Sequence, residues 1–137
     1  MKSANRFVFD TNVLVSAMLF PGSIPALALK KAITIGTAVV SEDCMDELSR
    51  VVMDEKFSTY SSFSKRQMFL LDFENAAEFI EVKNKIALSR DVDDDKFLSL
   101  AKAGNACAII TGDDDLLALH PFDAIDILKP SDFLIQY

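Results

Sequence analysis

Tryptophan is absent, histidine occurs once, cysteine twice, and glycine four times in 137 residues. Each shortage removes a class of chemistry. The single histidine, His120, stands directly before Pro121 and reads as a turn residue. No site built on several imidazoles can be assembled from it. Cys44 and Cys107 are far apart and form no CxxC pair, so they read as two buried thiols of a cytosolic protein. Neither has a histidine partner in sequence context, which argues against a catalytic thiol. The glycines make neither a GxGxxG turn nor a phosphate loop ending in Gly-Lys-Ser/Thr. No apolar run reaches ~18 residues and no charged leader precedes one, so a cytoplasmic protein is expected. Positive charge is also short: 14 basic against 21 acidic side chains, a net charge of -7. That excludes a bulk electrostatic grip on nucleic acid, for which a basic stripe would be needed. It leaves nucleic acid open as a substrate, because bound cations reverse the sign of a small acidic site.

What is present is apolar and alternating. Half the residues are hydrophobic, enough for one domain over residues 1–137 with a sizeable core. Most of the eleven phenylalanines fall on apolar faces and read as core. Phe7 to Asp10 reads as a buried strand, and Asn12 as the cap of a helix from Val13 to Phe20. Pro21-Gly22-Ser23 breaks that helix. Ala26, Leu29, Ala32 and Ile33 then recur at helical spacing, predicting a helix over Ile24 to Ile35, ended by Gly36. A strand is expected at Thr37 to Val40, then a helix capped by Ser41, with Cys44, Leu48, Val51 and Val52 on its apolar stripe. Asp54 to Ser62 reads as a loop, and Ser64 as the cap of a fourth helix running to about Ala77. A strand at Phe79 to Val82 and a connector at Asn84 to Arg90 precede a helix at Asp93 to Ala103. The remainder reads as a strand at Cys107 to Thr111, a short helix at Asp113 to Leu119, a strand at Ile125 to Leu128, and a closing turn capped by Ser131. Strands alternating with helices imply an α/β fold with a parallel sheet covered on both faces.

The acids fall at one set of places in that pattern. Asp10 follows the first strand, and Asp113-Asp114-Asp115 follows the strand ending at Thr111. Asp91, Asp93, Asp94 and Asp95 open the fifth helix, and Glu47 lies in the second turn of the third. In a parallel sheet, strand ends and the helix starts that follow share one edge, where ligands gather. All four groups then converge. Clustered carboxylates repel one another unless a cation or protons intervene. Oxygen donors without His or Cys suit Mg²⁺ or Mn²⁺ rather than Zn²⁺. Spacing helps choose among neighbours. Glu47 is three residues from Cys44 and four from Val51, flanking the apolar stripe. Asp94 precedes Phe97, Leu98 and Ala101 by three, four and seven residues and so faces inward, with Asp95 the alternative. At the last cluster Asp113 comes first, and Asp115 offers a second carboxylate. Acids at helix starts are also favoured by the helix dipole alone, and that plain reading stands beside the functional one.

In order, Val8-Phe9-Asp10-Thr11-Asn12-Val13-Leu14-Val15-Ser16, Ser41 to Val52 with Glu47-Leu48, Asp91 to Ala101, and Ile109-Ile110-Thr111-Gly112-Asp113-Asp114-Asp115-Leu116-Leu117 form a set. This set resembles the PIN-domain family, in particular its branch of VapC-like toxin ribonucleases. The resemblance implies a three-layer α/β sandwich with a central, mostly parallel five-stranded sheet, and metal-dependent cleavage of RNA. It implies Asp10, Glu47, Asp94 (or Asp95) and Asp113 as catalytic and metal-holding acids, with Asn12 and Thr111 in support. Mg²⁺ or Mn²⁺, as one ion or as two about 4 Å apart, would activate water and stabilise the phosphate. The products implied are a 5′-phosphate and a 3′-hydroxyl. A cognate antitoxin covering the cleft and a homodimer are implied as well, with Met18, Leu19 and Phe20 as a contact patch or as core.

Lys2, Arg6, Lys65, Arg66, Lys83, Lys85 and Arg90 are candidates for phosphate contacts, or plain surface charges. Two rival readings share the scaffold. A phosphoacceptor signalling domain would need paired acids after the first strand and a lysine after the last; Lys129 meets only the second need. A catalytically silent interaction module needs none of the acids.

Overall fold

The computed structural model describes residues 5–137. Its centre is β1 (Asn5–Phe9), whose Phe7, Val8 and Phe9 are buried. Around it run α1 (Thr11–Leu19), α2 (Ile24–Ile35), β2 (Gly36–Val40), α3 (Glu42–Val52), α4 (Phe63–Ala76), β3 (Glu78–Phe79), α5 (Asp95–Ala103), β4 (Ala108–Ile110), α6 (Asp114–Leu117), β5 (Asp126–Leu128) and α7 (Pro130–Gln136). Single 3-10 turns occupy Glu55–Phe57 and Val92–Asp94. The five strands pair in the order β3-β2-β1-β4-β5, all parallel. The expected α/β sandwich, a parallel sheet flanked by helices, is therefore the architecture found. From β1 the chain builds outward to β2 and β3, then returns to β4 and β5 on the other side. The reversal lies between β1 and β4, where an open α/β sheet leaves a crevice.

Local chemistry explains most of the boundaries and corrects several expectations. Asp10, not Asn12, caps α1: its carboxylate accepts the Asn12 N–H at 3.2 Å. Ser41 caps α3 as expected, accepting from the Cys44 N–H at 3.2 Å. Ser62 rather than Ser64 caps α4. The start of α7 has no side-chain cap; Pro130 sits in its first turn, where a missing N–H costs nothing. The strand expected at Phe79 to Val82 shrinks to a two-residue edge strand, extended by one hydrogen bond from the Ile80 N–H to the Val40 carbonyl at 2.8 Å. The fifth helix starts later than expected, because Val92–Asp94 is wound as a 3-10 turn.

Gly36 does more than end α2. Its φ of -171° is ordinary extended backbone, but a Cβ there would lie 2.2 Å from the Asn5 carbonyl oxygen. Glycine is needed so that β2 can approach β1. On β1 itself, Phe7 meets Phe133 and Tyr137 of α7 edge-on, with ring centroids 5.1 and 5.4 Å apart. Cys44 is buried and Cys107 half-buried, and both are free. Burial pushes the Cys44 thiol up to about 11, which keeps it protonated and unreactive. Among the described residues, no single helix is long and apolar enough to cross a membrane.

Two of the basic residues considered for phosphate are committed to the fold instead. Arg6 makes a two-point contact with Glu78 at 3.0 and 2.9 Å. Arg66, only 4 % exposed, donates to the carbonyls of Val52, Asp54 and Ser61 at 3.0, 3.1 and 3.2 Å. It closes the C-terminal end of α3, where the helix dipole favours a cation, and fixes α4 against it. Lys2 lies outside the described residues. Arg66→Met keeps the length of the side chain but leaves buried carbonyls unpaired. It should cost about 2–3 kcal/mol of stability, read as a lower urea midpoint at unchanged slope. Loss of less than about 0.5 kcal/mol would refute this role for Arg66.

Candidate metal centre

The ends of β1 and β4 are joined by a short chain of hydrogen bonds. The Asp10 N–H donates to the Ile110 carbonyl at 3.0 Å, so the two strands stay in register up to the acid. Thr111 follows β4 and is fully buried. Its Oγ1 donates to Asp10 Oδ2 at 2.6 Å and accepts the Asp113 N–H at 2.9 Å. Asp10 is thus fixed at both oxygens, by Thr111 and by the Asn12 amide. Asp113 is the N-cap of α6, its Oδ1 accepting the Asp115 and Leu116 N–H groups at 2.8 and 3.2 Å. The motif Thr111-Gly112-Asp113 therefore converts a strand end into a helix cap while turning a carboxylate toward Asp10.

Two further elements close the site. The 3-10 turn before α5 places Asp94 at its last position, 6 % exposed. One oxygen each from Asp91, Asp94 and Asp113 lie within 4.8 Å of one another. Glu47 arrives from α3. Its Oε1 accepts a short hydrogen bond from the Thr11 hydroxyl, and its Oε2 lies 2.9 Å from Lys96 Nζ. The result is a cleft of about 190 Å³ lined by Asp10, Asn12, Glu47, Asp91, Asp94 and Asp113, together with Asp93 and Lys96. All four acids expected to converge line this cleft. Asp95 does not. It faces the other way, its Oδ1 accepting the Leu88 and Ser89 N–H groups at 3.0 and 2.7 Å. Asp115 is also outside, paired with Arg90 at 2.8 Å.

Asp91 and Lys96 were not singled out from the sequence. Asp91 is hidden in an acidic run where several neighbours look equivalent. For Lys96 a signal exists: it is the lone cation directly after three aspartates, two residues beyond the inward-facing Asp94. Its side chain is 18 % exposed, spans to Glu47, and lies 5.1 Å from the Phe97 ring centroid. It is the one basic residue lining the acidic cleft among the described residues. Of the other basic candidates, Lys83, Lys85 and Arg90 pair with Glu81, Asp43 and Asp115.

The electrostatics follow from this crowding. Burial pushes Asp94 up to about 7, with the charges of Asp113, Asp91 and Asp10 adding to it. Asp10 is also raised, mainly by burial, and hydrogen bonds from Thr111 and Asn12 partly offset that effect. Asp94 Oδ2 is buried and has no hydrogen-bond partner. A buried, unpaired carboxylate oxygen among other carboxylates is costly. An all-oxygen donor set with such an orphan fits a hard divalent cation, Mg²⁺ or Mn²⁺.

A family model described as PIN domain matches residues 6–115, which include every acid of the cleft. The chain belongs to the PIN-domain family. It is 31 % identical over 120 residues to the uncharacterized protein MJ1680 of Methanocaldococcus jannaschii, covering 84 % of this chain and 75 % of that one. Solved structures share the PIN fold at lower identity. A chain of VapBC2 from Rickettsia felis, crystallised with a DNA fragment from its promoter, aligns at a TM-score of 0.61 and 17 % identity, covering 89 % of this chain and 96 % of that one. PAE2754 from Pyrobaculum aerophilum aligns at 0.64 and 12 %, covering 96 % and 88 %. A chain of VapBC-5, a toxin-antitoxin system member from Mycobacterium tuberculosis, aligns at 0.50 and 20 %, covering 90 % and 98 %.

The raised Asp94 gives this PIN domain a pH signature when no metal is added. Its folded-state value, about 7, lies above the ordinary 3.8. Between these values the folded chain holds a proton that the unfolded chain has lost, so stability falls as pH rises. The metal-free protein should melt at lower temperature at pH 8 than at pH 5. Asp94→Asn should flatten that slope and raise Tm at pH 8 by about 4 °C, on the order of 1 kcal/mol. Scanning calorimetry in chelator across this range checks it; an equal slope in the variant would refute the assignment.

Proposed function

We propose that this PIN domain is a divalent-metal-dependent endoribonuclease that hydrolyses single-stranded or structured RNA, working as the toxin of a toxin-antitoxin pair. The single observation carrying the proposal is Asp94 Oδ2, buried and unpartnered beside Asp91 and Asp113. Asp10, Asp94 and Asp113 would hold Mg²⁺ or Mn²⁺, with Glu47 direct or through water and Asn12 and Thr111 in support. A divalent cation there supplies Lewis acidity, lowering the pKa of an attacking water and offsetting charge on the scissile phosphate.

The chain's own residues set the conditions for that chemistry. Thr111 keeps Asp10 in one rotamer and, through the same hydroxyl, sets the position of Asp113. Thr11 and Lys96 occupy opposite oxygens of Glu47 and hold it at the edge of the cleft rather than within the tight trio. Lys96 leaves one ammonium where a phosphate would approach. Single-stranded or looped RNA offers such a cleft the most accessible backbone. Lys129 directly precedes α7 and is absent from the lining of the acidic cleft. That weighs against the phosphoacceptor reading.

The toxin assignment is supported by the relatives. VapBC2 of Rickettsia felis and VapBC-5 of Mycobacterium tuberculosis share the fold, and the latter is described as part of a toxin-antitoxin system. A cognate antitoxin and a second copy of this chain are the proposed partners, in the cytoplasm. Phe20, 55 % exposed at the end of α1, is available to such contacts, whereas Met18 and Leu19 are largely packed against the core.

The test is cleavage of mixed RNAs by the purified chain with Mg²⁺, with Mn²⁺, and with chelator. Wild type should cleave only with metal. Asp10→Asn and Asp113→Asn should each lower the rate at least about 100-fold, each variant's circular dichroism matching that of wild type. Cleavage that survives both substitutions, or is equal in chelator, overturns the proposal. If wild type is inert with both metals on varied RNAs, the silent interaction module takes its place.

A further inference from the structure

A second pocket, of about 290 Å³, lies beside the acidic cleft and shares Lys96 as a wall. Its other walls are largely apolar. Val82, Ile86 and Ala87 come from the connector after β3, and Val92 from the 3-10 turn that carries Asp94. At its rim Lys85 Nζ lies 3.3 Å from Asp43 Oδ2.

The connector has no helix or strand, yet it is pinned. Ser99 Oγ accepts the Ile86 N–H at 2.8 Å. Asp95 Oδ1 accepts the Leu88 and Ser89 N–H groups. Both polar side chains are more than nine-tenths buried on α5. This accounts for Asp95, which faces away from the acid trio and toward the connector. Two buried polar groups of α5 are committed to holding a coil segment in one shape. The pocket wall is therefore preorganised, which lowers the ordering cost of binding.

We propose that this pocket is a nucleobase subsite, taking the base of the nucleotide next to the scissile phosphate; the proposal rests on the ribonuclease reading above. Its volume is near the small end of ligand pockets, roughly 300 Å³, which suits one base. An apolar slot is a home for the faces of a splayed base, and the polar rim reads its edge. Phosphate contacts position an RNA and base contacts select it. The Asp43 carboxylate and Lys85 ammonium together offer an acceptor beside a donor. Guanine matches them best, with two adjacent N–H donors for the carboxylate and a carbonyl oxygen for the ammonium. The shared wall at Lys96 sets the slot beside the acidic cleft.

The probe is a set of short oligoribonucleotides randomised around one cleavage position, read by sequencing of the products with Mn²⁺ present. Wild type should favour guanine at one position flanking the cut. Ala87→Trp fills the slot and should raise KM for the guanine substrate about 10-fold, with kcat on the other bases within twofold. The paired rim variant Asp43→Asn with Lys85→Met leaves the slot open and should erase the guanine preference without abolishing cleavage. Retention of the wild-type base profile in both variants, each with native circular dichroism, overturns the subsite alone. No cleavage by wild type overturns the ribonuclease reading and the subsite together.

Discussion

The hydroxyl of Thr111 is the contact on which the site depends. It gives its proton to Asp10 at the end of β1 and receives the amide of Asp113 beyond β4. One buried atom therefore couples two carboxylates carried by strands far apart in sequence. The coupling works because β1 and β4 are neighbours at the reversal of strand order. Had the chain continued outward past β3, Thr111 would lie at the far edge of the sheet. Topology supplies the crevice, and one hydroxyl converts it into a fixed pair of acids.

The rest of the cleft answers the repulsion that this pairing creates. Asp91 and Asp94 bring two more carboxylates against Asp113, and burial makes the charge harder to bear. Lys96 relieves only one corner, through Glu47. The imbalance is left in place at Asp94, whose buried Oδ2 has no hydrogen-bond partner. Stability is lost at that point, and groups held at such a cost are common at functional sites.

Much of this was legible beforehand. Asp10 stood out because a carboxylate directly after Phe7-Val8-Phe9 has no reason to be there for solubility, and α2 was read to its ends from apolar spacing between the Pro21-Gly22-Ser23 break and Gly36. Helical spacing favoured Asp94 and left Asp95 as the alternative, and the segment there is wound as a 3-10 turn. The caps were harder. Asp10 displaced Asn12, and Ser62 displaced Ser64, because several capping residues stood close together and only tertiary packing chooses among them. Arg66 was unreadable for a different reason. A buried arginine answers carbonyls of Val52, Asp54 and Ser61, and no pattern in the sequence marks where those carbonyls will point. Lys96 carried a signal in its place after three aspartates, but its pairing with Glu47 is set only by the packing of α3 beside α5.

The backbone amide of Thr111 is held by the carbonyl of Leu128 on β5, at 2.9 Å. That strand and α7, with Phe133 and the following Tyr137 edge-on to Phe7, lie beyond the segment that the PIN-domain family model matches. The tail is thus a buttress for the neighbourhood of Thr111, although it contributes no acid to the cleft. Shortening the chain to its recognisable 6–115 stretch would keep every acid of the cleft and remove the floor they stand on.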